Sequence, residues 1–134
     1  MQHTFLKTIL ILFLFIVGAP LTSKAQDDKV YSESEVEEKP EFPGGMVKYY
    51  EYIQEEMNYP VEARNMGLQG KVKVGFVIDK NGQVTDVKVI QGIGGACDEE
   101  AMRLFKQSPK WTPGKKQGKP VKVAMTFNVN FKLG

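Results

Sequence analysis

The sequence predicts an α+β fold, a two-layer sandwich in which a three-stranded antiparallel sheet of order 2-1-3 has helices packed on one face. Residues 121–133 alternate apolar and polar side chains in strict period two, which indicates one long strand. Residues 71–78 and 84–90 also alternate, and the turn Asp79-Lys80-Asn81-Gly82 joins them as a hairpin. Apolar residues recur at helical spacing on both sides of this hairpin, which predicts the helical layer.

The first helix is predicted over residues 46–57, because apolar residues recur there at steps of four, three and four: Met46, Tyr50, Ile53 and Met57. We interpret this stripe as a core-facing surface. A ligand groove lined by Met and Tyr side chains is the alternative. Tyr59-Pro60 begins a second, shorter helix, since Pro is favoured in the first helical turn.

The third helix is predicted to begin at Asp98, which is a favoured capping residue. Its buried stripe consists of Cys97, Ala101, Leu104 and Phe105. Cys97 is interpreted as a small buried apolar residue, because a lone thiol without a nearby cation cluster is unreactive. Trp111, between Pro109 and Pro113, is predicted to pack against the sheet.

Three segments divide the chain. Residues 1–25 have the pattern of a signal peptide, with Lys7, a short apolar run and Ser23-Lys24-Ala25 before the cleavage point. The alternative is an uncleaved inner-membrane anchor. Residues 26–41 are acidic and poor in apolar side chains, which predicts a disordered tether, and residues 42–134 form the domain.

Composition excludes several classes of function. Residues 26–134 contain 16 basic and 16 acidic residues, which argues against nucleic acid as a partner. The charges are unevenly distributed: residues 26–62 hold 11 acids and 3 bases, whereas residues 63–134 hold 5 acids and 13 bases. The acidic part either folds back on the basic part or faces a different partner. Since the only histidine is His3 and the only cysteine is Cys97, we predict no catalytic residues, no metal site and no cofactor.

The order of elements places residues 71–78 in the centre of the sheet and residues 121–133 at its edge. The last strand is also longer than any partner within the chain. An unpaired row of backbone N–H and C=O groups along it is a template for a further strand. The basic run at residues 115–119 is interpreted as a solvated loop, with an anionic surface as the alternative.

Six motifs in order resemble the C-terminal domain of TonB, the energy transducer of Gram-negative envelopes. They are Tyr59-Pro60-Val61-Glu62-Ala63, the strand 70–76, Asn81-Gly82-Gln83-Val84, Asp98-Glu99-Glu100-Ala101, the turn 109–114 and the closing strand. Phe42-Pro43-Gly44-Gly45 is similar to the lead-in of many Bacteroidetes versions. The chain departs from full transducers in its short acidic tether and in Glu56-Met57-Asn58, where the family often has Gln-Pro.

The resemblance implies a non-enzymatic, free-standing periplasmic domain that binds the TonB box of outer-membrane TonB-dependent receptors by strand addition, in support of energy-coupled transport. The expected partner-binding residues are Val123, Ala124, Met125, Thr126, Phe127, Asn128, Val129, Asn130, Tyr59 and Pro60. Side chains near Tyr59 and on the acidic first helix are expected to add selectivity. Two alternatives remain: a homodimer through the last strand, and an envelope scaffold that is not coupled to proton motive force.

Overall fold

The computed structural model describes residues 28–134. The predicted signal sequence at residues 1–25 therefore lies outside the described residues. The described elements, in chain order, are β1 (Val30–Tyr31), a 3-10 turn (Glu33–Glu35), α1 (Gly45–Glu56), α2 (Val61–Asn65), β2 (Gly70–Ile78), β3 (Val84–Gln91), α3 (Gly95–Lys106), β4 (Gly114–Lys116) and β5 (Lys119–Phe131). Within residues 28–134, no helix has the length and apolar character needed to cross a membrane.

The sheet confirms the predicted α+β class and the order of its three long strands. β2 is central, with β3 on one side and β5 on the other, and both pairs are antiparallel. The expectation of three strands is wrong, because two short strands also join β5. β1 pairs with it in parallel at Lys122 and Val123, and β4 pairs with it antiparallel at the opposite end from Phe131.

One face of the sheet is buried beneath the helices. Alternate residues of β2 and β5 lie in the core, among them Val72, Val74, Val123 and Val129. The predicted stripe of α3 is confirmed, since Cys97, Ala101, Leu104 and Phe105 are all buried. α3 begins at Gly95 rather than at Asp98, and the Asp98 carboxylate reaches back to accept hydrogen bonds from the amides of Ile93 and Gly94.

Residues 28–41 pack along the domain, where the sequence predicts a disordered tether. Glu38 pairs with Lys115 and Glu41 pairs with Thr112 through backbone hydrogen bonds. Val36 is buried. These backbone hydrogen bonds and the buried Val36 side chain hold the segment in place, although the segment itself has too few apolar residues to fold alone. Of the two predicted arrangements, the acidic part folds back on the basic part.

The helix α1 forms where it is predicted, but only part of the predicted stripe, Ile53 and Met57, packs against the core. Tyr49 is the buried residue, whereas Met46 and Tyr50 are 47% and 62% exposed. Tyr49 packs against Phe42 at 5.8 Å and Phe127 at 4.9 Å between ring centroids. These aromatic contacts decide the rotation of a helix that has apolar residues on more than one face.

Trp111 closes the end of the core near the β2–β3 turn, as predicted. Its side chain is 3% exposed and lies 5.3 Å from the ring of Phe76 and 5.4 Å from that of Phe127. Its backbone N–H donates to the Gly82 carbonyl at 2.8 Å. Gly82 has φ 87°, and a Cβ there would lie 2.0 Å from the Trp111 carbonyl oxygen, so the turn requires glycine at this position.

Replacing Trp111 by Ala should lower the free energy of unfolding by about 3 to 5 kcal/mol, because it removes a buried aromatic side chain and leaves a cavity. Urea denaturation followed by circular dichroism measures the change. Trp111→Phe, which keeps an aromatic ring, should cost clearly less. An unchanged unfolding midpoint in Trp111→Ala would show that the indole does not belong to the core.

Candidate functional site

The outer side of β5 is the candidate site, and the hydrogen-bond pattern shows which backbone groups face it. The Asp79 N–H donates to the Gln83 carbonyl, so the backbone of Asp79 faces β3. The backbone N–H and C=O groups of successive residues point to opposite sides of a strand. Those of Ile78 therefore point towards β5, where Ile78 pairs with Val123. The register of β2 with β5 is regular from that pair to Gly70 and Phe131, so the odd-numbered residues of β5 bond to β2 and the even-numbered residues face outward.

Only the first part of this outer side is occupied by a described strand. Tyr31 lies opposite Val123, and Val30 lies opposite Lys122. From Ala124 to Phe131, no strand within residues 28–134 pairs with the outer side of β5. The outward backbone groups of Thr126, Asn128 and Asn130 therefore form a short open edge.

One carbonyl of the open edge already has a partner. The Tyr49 hydroxyl donates to the backbone carbonyl of Asn128 at 3.2 Å, which agrees with an outward orientation of that carbonyl. Burial raises the pKa of Tyr49 far above its ordinary value of 10, with a smaller contribution from Tyr50, so the hydroxyl keeps its proton. An added strand would meet Tyr49 at this point of the edge.

A groove of about 510 Å³ lies between α1 and this edge. The α1 wall presents Tyr50 and Ile53, and the strand wall presents Asn128, Asn130 and Lys132. The full lining also contains Tyr49, Gln54, Met57, Tyr59 and Arg64. Three of the four residues of the predicted Met and Tyr stripe line this groove, and two of them, Ile53 and Met57, also pack against the core, so each interpretation of the stripe holds in part.

A family model described as the Gram-negative bacterial TonB protein C-terminal matches residues 55–133, which is more than half of the chain. The chain belongs to this family. TonB C-terminal domains also share its fold: two NMR solution structures of the Helicobacter pylori domain match with a TM-score of 0.50 and 24% sequence identity. They cover 66% and 64% of this chain, and the matches span 79% and 90% of those chains. No curated protein matches the chain.

TonB C-terminal domains are non-catalytic, and the family interacts with TonB-dependent receptors. In this TonB C-terminal domain, residues 28–134 contain no cluster of metal-ligating side chains. Cys97 is fully buried, and burial, followed by the charge of Asp98, raises the pKa of its thiol. A buried, protonated thiol behaves as a small apolar side chain, as the sequence indicates.

The residues expected to bind a partner differ in how much of their surface or backbone is open in this TonB C-terminal domain. Val123 pairs on both sides, with Ile78 and Tyr31, and lies outside the open edge. Residues 124–130 pair with β2 and are open on their outer side. Tyr59 lines the groove and packs on Phe131 with 5.6 Å between ring centroids. Pro60 caps the start of α2 and does not line the groove.

Two features near the site differ from expectation. The acidic residues of α1 do not line the groove, which is lined by no carboxylate. The basic run at residues 115–119 forms the tight β4–β5 hairpin rather than a loop, and the Lys116 ammonium donates to the Glu35 carbonyl at 2.9 Å. Among the lining residues, the sequence argument missed Tyr49, Gln54 and Arg64, for which helical spacing gives no signal.

An ion pair between the buried Glu100 and the partly exposed Arg103 holds the α1–α2 junction that forms one end of the groove. The Arg103 guanidinium donates twice to the Glu100 carboxylate at 2.7 Å, and also to the Glu56 carbonyl at 2.8 Å. Glu100 accepts the Asn58 N–H at 2.7 Å as well. Burial by itself raises the pKa of Glu100, but the hydrogen bonds from Arg103 and Asn58 and the guanidinium charge outweigh it, so the pKa is lowered.

Replacing Glu100 by Gln should lower the free energy of unfolding at pH 7 by about 1 to 3 kcal/mol, because it removes charge-assisted hydrogen bonds. A lowered folded-state pKa means that the carboxylate stabilises the fold above the ordinary value of 4.5 and ceases to do so as the pH falls through the folded value. The difference between the wild type and Glu100→Gln should therefore be large at pH 7 and small near pH 2.

Urea unfolding at both pH values measures this difference, with Glu99→Gln as the control at the exposed neighbouring position. Equal losses at pH 7 and at about pH 2 would show that side-chain shape, rather than the charge of Glu100, stabilises the junction.

Proposed function

We propose that the protein is a periplasmic TonB-type binding module that engages the TonB box of outer-membrane TonB-dependent receptors by adding it as a strand to β5. It would thereby support energy-coupled transport across the outer membrane. The observation that carries this proposal is the open edge of β5 from Ala124 to Phe131, beside the groove of α1. Membership of the family supports it further.

The physical basis is strand addition, in which the main chain of an extended peptide bonds to an open sheet edge while side-chain pockets add selectivity. The outward groups of Thr126, Asn128 and Asn130 supply the main-chain partners. The side chains of Thr126, Asn128 and Asn130 are exposed and alternate with the core-facing side chains, so they stand out of the plane of the sheet and do not block an approaching strand. The lysines at 122 and 132 flank this neutral stretch.

A synthetic peptide with the TonB box sequence of a receptor provides the test. Titrated into isotopically labelled protein, it should produce its largest amide shifts at residues 124–131 and in α1. Shifts confined to the β4–β5 hairpin would contradict strand addition at this edge. Concentration-dependent dimerisation through residues 124–131, without peptide binding, would favour the self-associating scaffold instead.

Thr126→Pro should weaken peptide binding by about tenfold or more, because it removes an outward N–H and adds a ring at the open edge. The matched control is Thr126→Ala, which loses the same hydroxyl but keeps the N–H and should bind like the wild type. Since the N–H of Thr126 faces away from β2, both variants should stay folded, as circular dichroism would show. Equal affinity of the two variants for the peptide would contradict the proposed edge.

A further inference from the structure

The short strand β1 lies at one end of the outer side of β5. Val30 is opposite Lys122 and Tyr31 is opposite Val123, in parallel pairing. The open edge begins at the next residue, Ala124. β1 therefore covers backbone groups that are continuous with the proposed binding edge, and an added strand that extends past Ala124 meets β1.

Few contacts hold the first residues of β1 in place. Two residue pairs join β1 to β5, and the Val30 side chain is 43% exposed. The Asp28 carboxylate lies 3.9 Å from the Lys122 ammonium, and 82% of the Asp28 side chain is exposed. Such a solvated ion pair contributes little to stability. A segment with so few buried contacts opens locally at a low cost in free energy.

Tyr31 provides the main attachment of β1. Its side chain is partly buried against the core. The ammonium groups of Lys29 and Lys116 lie 4.7 Å and 5.6 Å from the centre of its ring. Because cation–π contacts at exposed sites are weak, the attachment depends mostly on one half-buried ring.

The rest of the folded-back segment is held more firmly. Val36 is buried, and Glu38 and Glu41 each exchange two backbone hydrogen bonds, with Lys115 and Thr112 respectively. The 3-10 turn at residues 33–35, which contains no buried residue, separates these contacts from β1. β1 can therefore detach at this turn while residues 36–41 stay in place.

We infer that β1 is a displaceable strap that shortens the binding edge of β5, and that an incoming strand which takes its place gains the outward backbone groups of Lys122. This inference rests on the proposed function and adds a means of regulating the same site. Because β1 and the incoming strand compete for the same groups, the measured affinity for a strand that reaches Lys122 equals the affinity of the uncovered edge multiplied by the fraction of molecules in which β1 is detached.

The variant Val30→Cys/Lys122→Cys tests the strap, because these residues are directly opposite each other on neighbouring strands and lie within the reach of a disulfide. The native Cys97 is fully buried and does not interfere. The oxidised form keeps β1 in place, whereas the reduced form allows it to detach. The receptor peptide that shifts β5 in the titration described above should bind the reduced form at least about fivefold more tightly than the oxidised form.

The matched control is Val30→Ser/Lys122→Ser, which should bind the peptide equally under oxidising and reducing conditions. A second measurement uses the wild-type protein: saturation with the peptide should move the amide signals of residues 29–31 to the positions of an unstructured chain and leave those of residues 36–41 in place.

Equal affinity of the oxidised and reduced forms, or unchanged signals of residues 29–31 in the saturated complex, would overturn the inference while leaving strand addition at residues 124–131 intact. If the peptide shifts none of residues 124–131 even in the reduced form, the proposed function itself fails and the inference fails with it.

Discussion

Phe127 of β5 stands at the centre of an aromatic cluster that holds the helical layer against the edge of the sheet. Its ring contacts Tyr49 of α1, Phe76 of β2, Phe105 of α3 and Trp111, with centroid distances from 4.9 to 6.4 Å. Because Tyr49 is part of this cluster, α1 lies beside the outer side of β5 instead of over the middle of the sheet. The groove therefore exists as a consequence of core packing.

The same cluster explains how much of the fold the sequence could predict. Period two in β5 and the hairpin of β2 and β3 are local patterns, so the class and the order of the long strands follow from them. The rotation of α1 does not, because apolar residues at 46, 49, 50 and 53 fit more than one stripe, and the choice depends on Phe127, which is distant in sequence. β1 and β4 are too short to leave a periodic signal, and β1 is held by pairing with Lys122 and Val123.

The candidate site was predictable only in outline. A strand longer than its partner implied an open edge, and β5 has one. However, β1 pairs with the first residues of this edge, and the Tyr49 hydroxyl donates a hydrogen bond to the carbonyl of Asn128. Neither contact can be inferred from spacing, since each joins segments far apart in the chain. The charge of the groove could not be predicted for the same reason. The acidic helix suggests a negative wall, whereas packing keeps Glu51 and Glu55 out of the groove and brings Arg64 from α2 to the end of β5.

The position of β5 at the end of the domain also has a consequence for folding. β2 forms its central pairing with β5, from Gly70 with Phe131 to Ile78 with Val123, so half of its backbone partners come from the most distant segment of the domain. Such non-local pairing has a high entropic cost of loop closure and slows folding. Until β5 docks, β2 is itself a bare hydrophobic edge that other chains can pair with. Docking of the last strand thus protects the chain against aggregation as well as completing its core.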